Sequence, residues 1–178
     1  MNCGATDNIS GDVMLFGSMR CGPGRVLVIG YGNTLRSDDG VGAAVVSQLA
    51  KVLRQVETCE CMVVHQLTPE LAEPISRAQR VVFVDASSIF PAGRISIQPA
   101  YARVVSTVGL GHHMTPEHVL GLSQELYGNT PQAWTIGIGV DSMEVGETLS
   151  VRVAYAAGRV AEHLAHCVEC WSRTPAVH

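Results

Sequence analysis

Three polar clusters each fall where an apolar run ends: Gly30-Tyr-Gly-Asn-Thr-Leu-Arg-Ser-Asp-Asp-Gly40, Asp85 after Arg80-Val-Val-Phe-Val84, and Gly111-His-His-Met-Thr-Pro-Glu117. In an α/β chain the loops at the carboxyl ends of parallel strands gather along one edge of the sheet, the edge at which such folds bind ligands. Two carboxylates and one imidazole brought there make an N/O donor set with open positions, suited to nickel, zinc or iron rather than magnesium. Of the adjacent Asp38 and Asp39, one is expected to cap or turn the start of the next helix, leaving the second to face the sheet edge. Gly40 and Gly42 would let the backbone approach whatever is held there. Asp85 reaches the same place if its strand lies beside the first one, and the imidazole comes from His112 or His113, just ahead of a capped helix.

Other chemistries fit the sequence less well. A dinucleotide fingerprint G-x-G-x-x-G requires glycine where Leu35 stands, and two adjacent carboxylates at a helix mouth repel phosphate. There is no G-x-S-x-G elbow, no H-E-x-x-H and no Gly-Lys-Ser phosphate loop, which disfavours ordinary serine hydrolases and zincins. A further cluster, His163-Leu-Ala-His166-Cys-Val-Glu-Cys170, contains a C-x-x-C, but a zinc site normally needs two separated ligand pairs. Helix packing and solvent exposure are the expected roles there. Cys59 and Cys61, flanking Glu60 at the start of a strand, are expected to be structural.

The elements that must position the clusters follow from periodicity. Val26-Leu-Val-Ile29 is a continuous apolar run, as in a strand covered on both faces. Val41, Ala44, Val45, Leu49, Val52, Leu53 and Val56 recur at helical spacing. Cys61 to Val64 reads as a second strand, Pro69 to Ala78 as a second helix and Arg80 to Val84 as a third strand. Ile95-Ser-Ile97 reads as an antiparallel edge strand, because its connection is too short for a crossover. Thr115 to Tyr127 gives a third helix, Trp134 to Val140 a fifth strand, and Val151 to about Val168 a closing helix. His65-Gln-Leu-Thr-Pro-Glu70 echoes His112-His-Met-Thr-Pro-Glu117, both offering Thr as N-cap and Pro as first helical residue. The expected fold is a single three-layer α/β/α domain with a mostly parallel sheet of about five strands. Residues 25–170 form it, after a poorly ordered leader at 1–24 and before a tail at 171–178.

Composition bounds the function classes. The 178 residues suffice for one domain with a sizeable core, and 47% hydrophobic against 16% charged residues describes a well-buried interior. No apolar run approaches the roughly 18 residues of a membrane span. A net charge of −4 without a basic stripe argues against nucleic acid as a partner. With no secretory signal pattern at the start, a cytoplasmic location is expected, with the six cysteines reduced.

The block Val28-Ile-Gly-Tyr-Gly-Asn-Thr-Leu-Arg-Ser-Asp-Asp-Gly-Val-Gly42, with Val81-Val-Phe-Val-Asp-Ala86 and the His-His-Met segment, resembles the nickel-iron hydrogenase maturation endopeptidases. The resemblance runs from about Arg25 to Leu164 and includes Gly137 to Glu144 and Gly146 to Ser150. It implies a protease that removes a C-terminal extension from a hydrogenase large-subunit precursor once nickel has been inserted. The family's metal-contacting trio maps onto Asp39, Asp85 and His112, with His113 and then His118 as the next choices for the histidine. The first position is often glutamate in the family, so Asp39 would hold a metal closer to its backbone, with Asp38 supporting the loop. The resemblance further implies that nickel arrives with the substrate, and that zinc or cadmium can stand in at the same site. The main rival is a non-catalytic nickel-sensing chaperone of the same precursor, and a more distant one is a small nucleotide-binding protein.

Overall fold

In a computed structural model that describes residues 24–103 and 114–172, the apolar runs form one five-stranded sheet. The strands are β1 (Val26–Tyr31), β2 (Cys59–Val64), β3 (Arg80–Ser87), β4 (Ile95–Ala100) and β5 (Gln132–Gly139). The helices are α1 (Val41–Val52), α2 (Ala72–Ser76), α3 (Pro116–Tyr127) and α4 (Val151–Ser172), with 3-10 turns at Ser37–Gly40 and Pro69–Leu71. The spatial order is β2-β1-β3-β5-β4. β1 runs parallel to β2 and β3, β3 runs parallel to β5, and β4 is antiparallel to β5.

Alternation along the strands builds the layers. Val26, Val28, Val82 and Val84 point to the face covered by α1 and α4, in a core with Val45, Leu49, Val160 and Leu164. Leu27, Ile29, Val81 and Phe83 point to the other face, toward Leu71, Ile75, Val119 and Leu120. At the far end of α4, Trp171 stacks on Trp134 with ring centroids 6.1 Å apart, and the Arg80 guanidinium lies 5.5 Å from the Trp171 centroid. These contacts carry α4 through Ser172, past the end expected near Val168 and into the expected tail.

Other elements depart from the sequence reading. α1 stops at Val52, although Leu53 and Val56 continue the apolar stripe; Leu53 is buried and the Val56 N–H bonds the Leu53 carbonyl at 2.9 Å. That stripe therefore records burial beyond the end of the helix. The expected second helix is a 3-10 turn followed by a five-residue α-helix. β3 extends to Ser87 because its ladder with β5 continues to the Ser87–Gly139 pair, which puts Asp85 within the strand rather than after it. The edge strand β4 is antiparallel as expected, is longer than Ile95–Ile97, and accommodates Pro99 on the sheet border. Thr68 and Thr115 occupy N-cap positions ahead of Pro, as expected, but neither hydroxyl makes a capping hydrogen bond. Residues 1–23 and 173–178 lie outside the described residues.

Candidate functional site

β1 is joined to β2 through α1 on one side, while β3 lies on its other side, so the chain changes direction between the carboxyl ends of β1 and β3. Such a reversal opens a crevice at the sheet edge. After Tyr31 the backbone passes through Gly32 at φ 132°, where an added Cβ would lie 2.1 Å from the Asp39 carbonyl oxygen. A side chain cannot occupy that space, and the loop folds back on itself only because glycine is there. The Asn33 side chain accepts the Leu35 N–H at 2.9 Å, and the Asn33 N–H donates to Asp39 Oδ2 at 2.9 Å. Asp39 is thereby held at the end of β1. At Gly42 an added Cβ would stand 2.5 Å from the Val84 carbonyl oxygen and 2.7 Å from that of Tyr31. The first turn of α1 is thus pressed onto the ends of β1 and β3, a packing role rather than the ligand approach expected of this glycine.

Asp38 supports the loops of the site, as the resemblance implies, but the expected capping role is not filled. Neither aspartate caps α1, whose N-cap Gly40 has no side-chain partner. Asp38 is fully buried and clamps the loop that follows β5. Its Oδ2 accepts the N–H groups of Asp141 at 3.0 Å and Ser142 at 3.2 Å and the Ser150 hydroxyl at 3.0 Å. Its Oδ1 accepts the Ser150 N–H at 2.6 Å. Burial pushes this carboxyl upward, but the four donors outweigh it and hold the group below the ordinary carboxylate range. The same two loops join at Ser37, left-handed at φ 45°, whose N–H donates to the Gly146 carbonyl at 2.7 Å.

Asp85 is brought to Asp39, as the expected adjacency of the first and third strands requires. Burial raises its carboxyl to about 6; the neighbouring Tyr31 hydroxyl and the Ala86 N–H oppose the rise, and the negative charge of Asp39 adds to it. The Ala86 N–H lies 2.8 Å from Asp85 Oδ1. Burial, Asp85 and Glu117 together push the Tyr31 phenol far above its ordinary value. Two carboxylates near enough to act on each other by charge, one of them already costly to ionise through burial, gain from a cation in their neighbourhood.

His112 and His113 lie outside the described residues. His118 is half-buried in the first turn of α3. Among the described residues no three His, Cys, Asp or Glu side chains stand close enough to hold a metal ion, so His118 does not complete a trio with Asp39 and Asp85. The same holds for the C-terminal cluster, where His163 faces Cys167 at 3.6 Å and His166 faces Cys170 at 3.8 Å as two separate pairs along α4. The neighbouring thiols of Cys59 and Cys61 act on each other, which raises the first and lowers the second. The roles of Tyr31 and Ser150 escape a sequence reading. Tyr31 reads as part of the glycine-rich cluster after the first strand, and Ser150 as the residue before a helix. The partner of Ser150 is 112 positions away.

No family model and no curated protein sequence matches the chain. Its fold, in contrast, is shared with solved structures. The NiFe hydrogenase maturation protease HycI of Thermococcus kodakarensis KOD1 aligns with a TM-score of 0.68 and 23% identity, covering 82% of this chain and 92% of its own. A hydrogenase 2 maturation peptidase from a Thaumarchaeota archaeon aligns with a TM-score of 0.61 and 24% identity, over 82% and 99% of the two chains. The hydrogenase maturating endopeptidase HybD of E. coli gives 0.57 and 20% over 82% and 92%. The chain is similar in fold to these proteases, in line with the resemblance carried by its motifs.

Proposed function

We propose that this protein is an endopeptidase that removes the C-terminal extension of a hydrogenase large-subunit precursor after nickel insertion. The observation that carries the reading is the Asp39–Asp85 pair, set at the β1/β3 crevice of a fold shared with hydrogenase maturation proteases. Nickel is treated as part of the substrate, recognised by Asp39, Asp85 and His112. The donor set suits it: two carboxylates that repel each other when empty gain from a shared cation, and one imidazole adds the nitrogen expected for a borderline metal. His112 and His113 stand within four residues of Pro116, the start of the helix whose Glu117 acts on Tyr31. A nickel ion held by the precursor would polarise a carbonyl or orient water at the cleavage point, and zinc or cadmium would serve as surrogates. A carboxylate at the site would accept the proton of the attacking water.

The location consistent with such a partner is the cytoplasm. Among the described residues no helix is long and apolar enough to cross a membrane. The second reading, a nickel-sensing chaperone, would use the same side chains to test for metal without cutting. Incubation with nickel-loaded and nickel-free precursor separates the two: release of a C-terminal peptide only from the loaded form supports the protease, and metal-dependent binding without release supports the chaperone.

A further inference from the structure

His163, His166, Cys167 and Cys170 fall at positions i, i+3, i+4 and i+7 of α4, so all four lie along one flank of the helix. Within that stripe His163 Nε2 lies 3.6 Å from Cys167 Sγ, and His166 Nε2 lies 3.8 Å from Cys170 Sγ. The adjoining face of the helix is fixed in the core by Leu164 and Val168, and the last turn by the stacking of Trp171 on Trp134. His166 is exposed, His163 and Cys170 are half-buried, and Cys167 is buried. The stripe is far from the crevice: Ser150, bonded to Asp38, opens α4, and His163 lies about 20 Å further along the helix at roughly 1.5 Å per residue.

The spacing inside each pair is that of a chelate. Metal bonds of about 2.0 Å to an imidazole nitrogen and about 2.3 Å to a thiolate sulfur, opened to roughly 110–120° at the metal, set the donor atoms about 3.6–3.8 Å apart. Zinc in a structural site takes four ligands, whereas each pair offers two, and among the described residues no three His, Cys, Asp or Glu side chains are grouped to hold one ion. Divalent ions that want four donors are therefore held weakly here. A cuprous ion is soft, takes thiolate and imidazole together, and is satisfied by two or three donors. The geometry points to His163–Cys167 and His166–Cys170 as two chelating pairs for Cu⁺, a thiolate–imidazole site separate from the Asp39–Asp85 crevice and independent of its reading. Each thiol releases its proton as the copper–sulfur bond forms, and copper keeps its oxidation state.

The experiment titrates the full chain, reduced and free of oxygen, against Cu⁺ held by a chromophoric chelator. The chain carries Cys3→Ser, Cys21→Ser, Cys59→Ser and Cys61→Ser, so that the two α4 thiols are the only ones. It is compared with His163→Gln/His166→Gln and Cys167→Ser/Cys170→Ser in the same background, with folding checked by circular dichroism. The parent is expected to withdraw copper from the chelator. Removing a donor costs at least as much as removing a group that orients one, so both α4 variants should lose about 10–100-fold in affinity or more. X-ray absorption at the copper edge provides a second readout in the wild-type chain, where nitrogen should accompany sulfur around the metal and should disappear in His163→Gln/His166→Gln. Copper left on the chelator would overturn the inference and make the two pairs hydrogen-bonded helix contacts only. Undiminished affinity in a folded His163→Gln/His166→Gln chain, or a sulfur-only shell in wild type, would overturn it equally. None of these results bears on cleavage of the precursor.

Discussion

Ser150 is joined to Asp38 twice, by its N–H to Oδ1 at 2.6 Å and by its hydroxyl to Oδ2 at 3.0 Å, across 112 positions of sequence. Ser150 also opens α4, since its carbonyl accepts the Ala154 N–H at 2.8 Å. One buried carboxylate thus fastens the longest helix to the loop that carries Asp39. The neighbour of Asp39 in sequence is the anchor of its position in space.

Asp38→Ala should therefore destabilise the protein by about 3–5 kcal/mol, because three backbone N–H groups and a hydroxyl lose a charged acceptor at a buried site. Urea unfolding at neutral pH measures this. The carboxyl is held below its ordinary value of 3.8 in the folded state, so its stabilisation is complete above that pH and is lost as pH falls through the lower folded value. The acid limb of the stability curve should be flatter in Asp38→Ala than in wild type.

Asp85 has the opposite sign. Its carboxyl rises from 3.8 to about 6 on folding, so the folded state binds the proton more tightly. Its contribution favours folding at low pH and is lost as pH rises through about 6. In metal-free protein, Asp85→Asn should be more stable than wild type above that pH by on the order of 1–3 kcal/mol, and close to it at about pH 4. Denaturation at the two ends of the range checks it. A saturating divalent cation should cancel the wild-type deficit and leave Asp85→Asn unchanged.

Gly42→Ala tests the contact between α1 and the strand ends. The new methyl would meet the backbone of Val84 and Tyr31, atoms that no side-chain rotation can move. A loss of about 2–3 kcal/mol is expected. Because the displaced turn begins next to Asp39, Cd²⁺ affinity should fall as well, whereas Leu164→Ala should cost a similar or larger stability, about 2–5 kcal/mol, without weakening Cd²⁺ binding in the folded protein.

Among the histidines, His112→Ala should abolish tight Cd²⁺ binding and His118→Ala should retain it, since His118 does not form a metal-holding group with the two aspartates. Calorimetry on both variants and on His113→Ala makes the assignment.

Much of this was legible in the residues themselves. Continuous apolar runs marked β1 and β3, and a three-and-four stripe marked α1 and α4, because burial on two faces or one writes those periods directly. The adjacency of β1 and β3 followed from the doubly wound pattern, and with it the meeting of Asp39 and Asp85. The stripe could not mark the end of α1, since Leu53 stays buried and Val56 partly buried after the helix has stopped. Nor could local pattern reveal that Asp38 serves Ser150, because those bonds depend on tertiary juxtaposition. The motif separates Asp39 as candidate ligand from Asp38 as loop support, but only the tertiary surroundings show which donors Asp38 clamps.

The most direct test of the central claim is the mass of a nickel-loaded hydrogenase large-subunit precursor after incubation with this protein and with Asp39→Asn, against a nickel-free control. The account predicts loss of a C-terminal peptide only from the loaded precursor, and none with Asp39→Asn, which keeps its fold and its bond to Asn33. Equal cleavage by Asp39→Asn, or cleavage of nickel-free and nickel-loaded precursor alike, would contradict it.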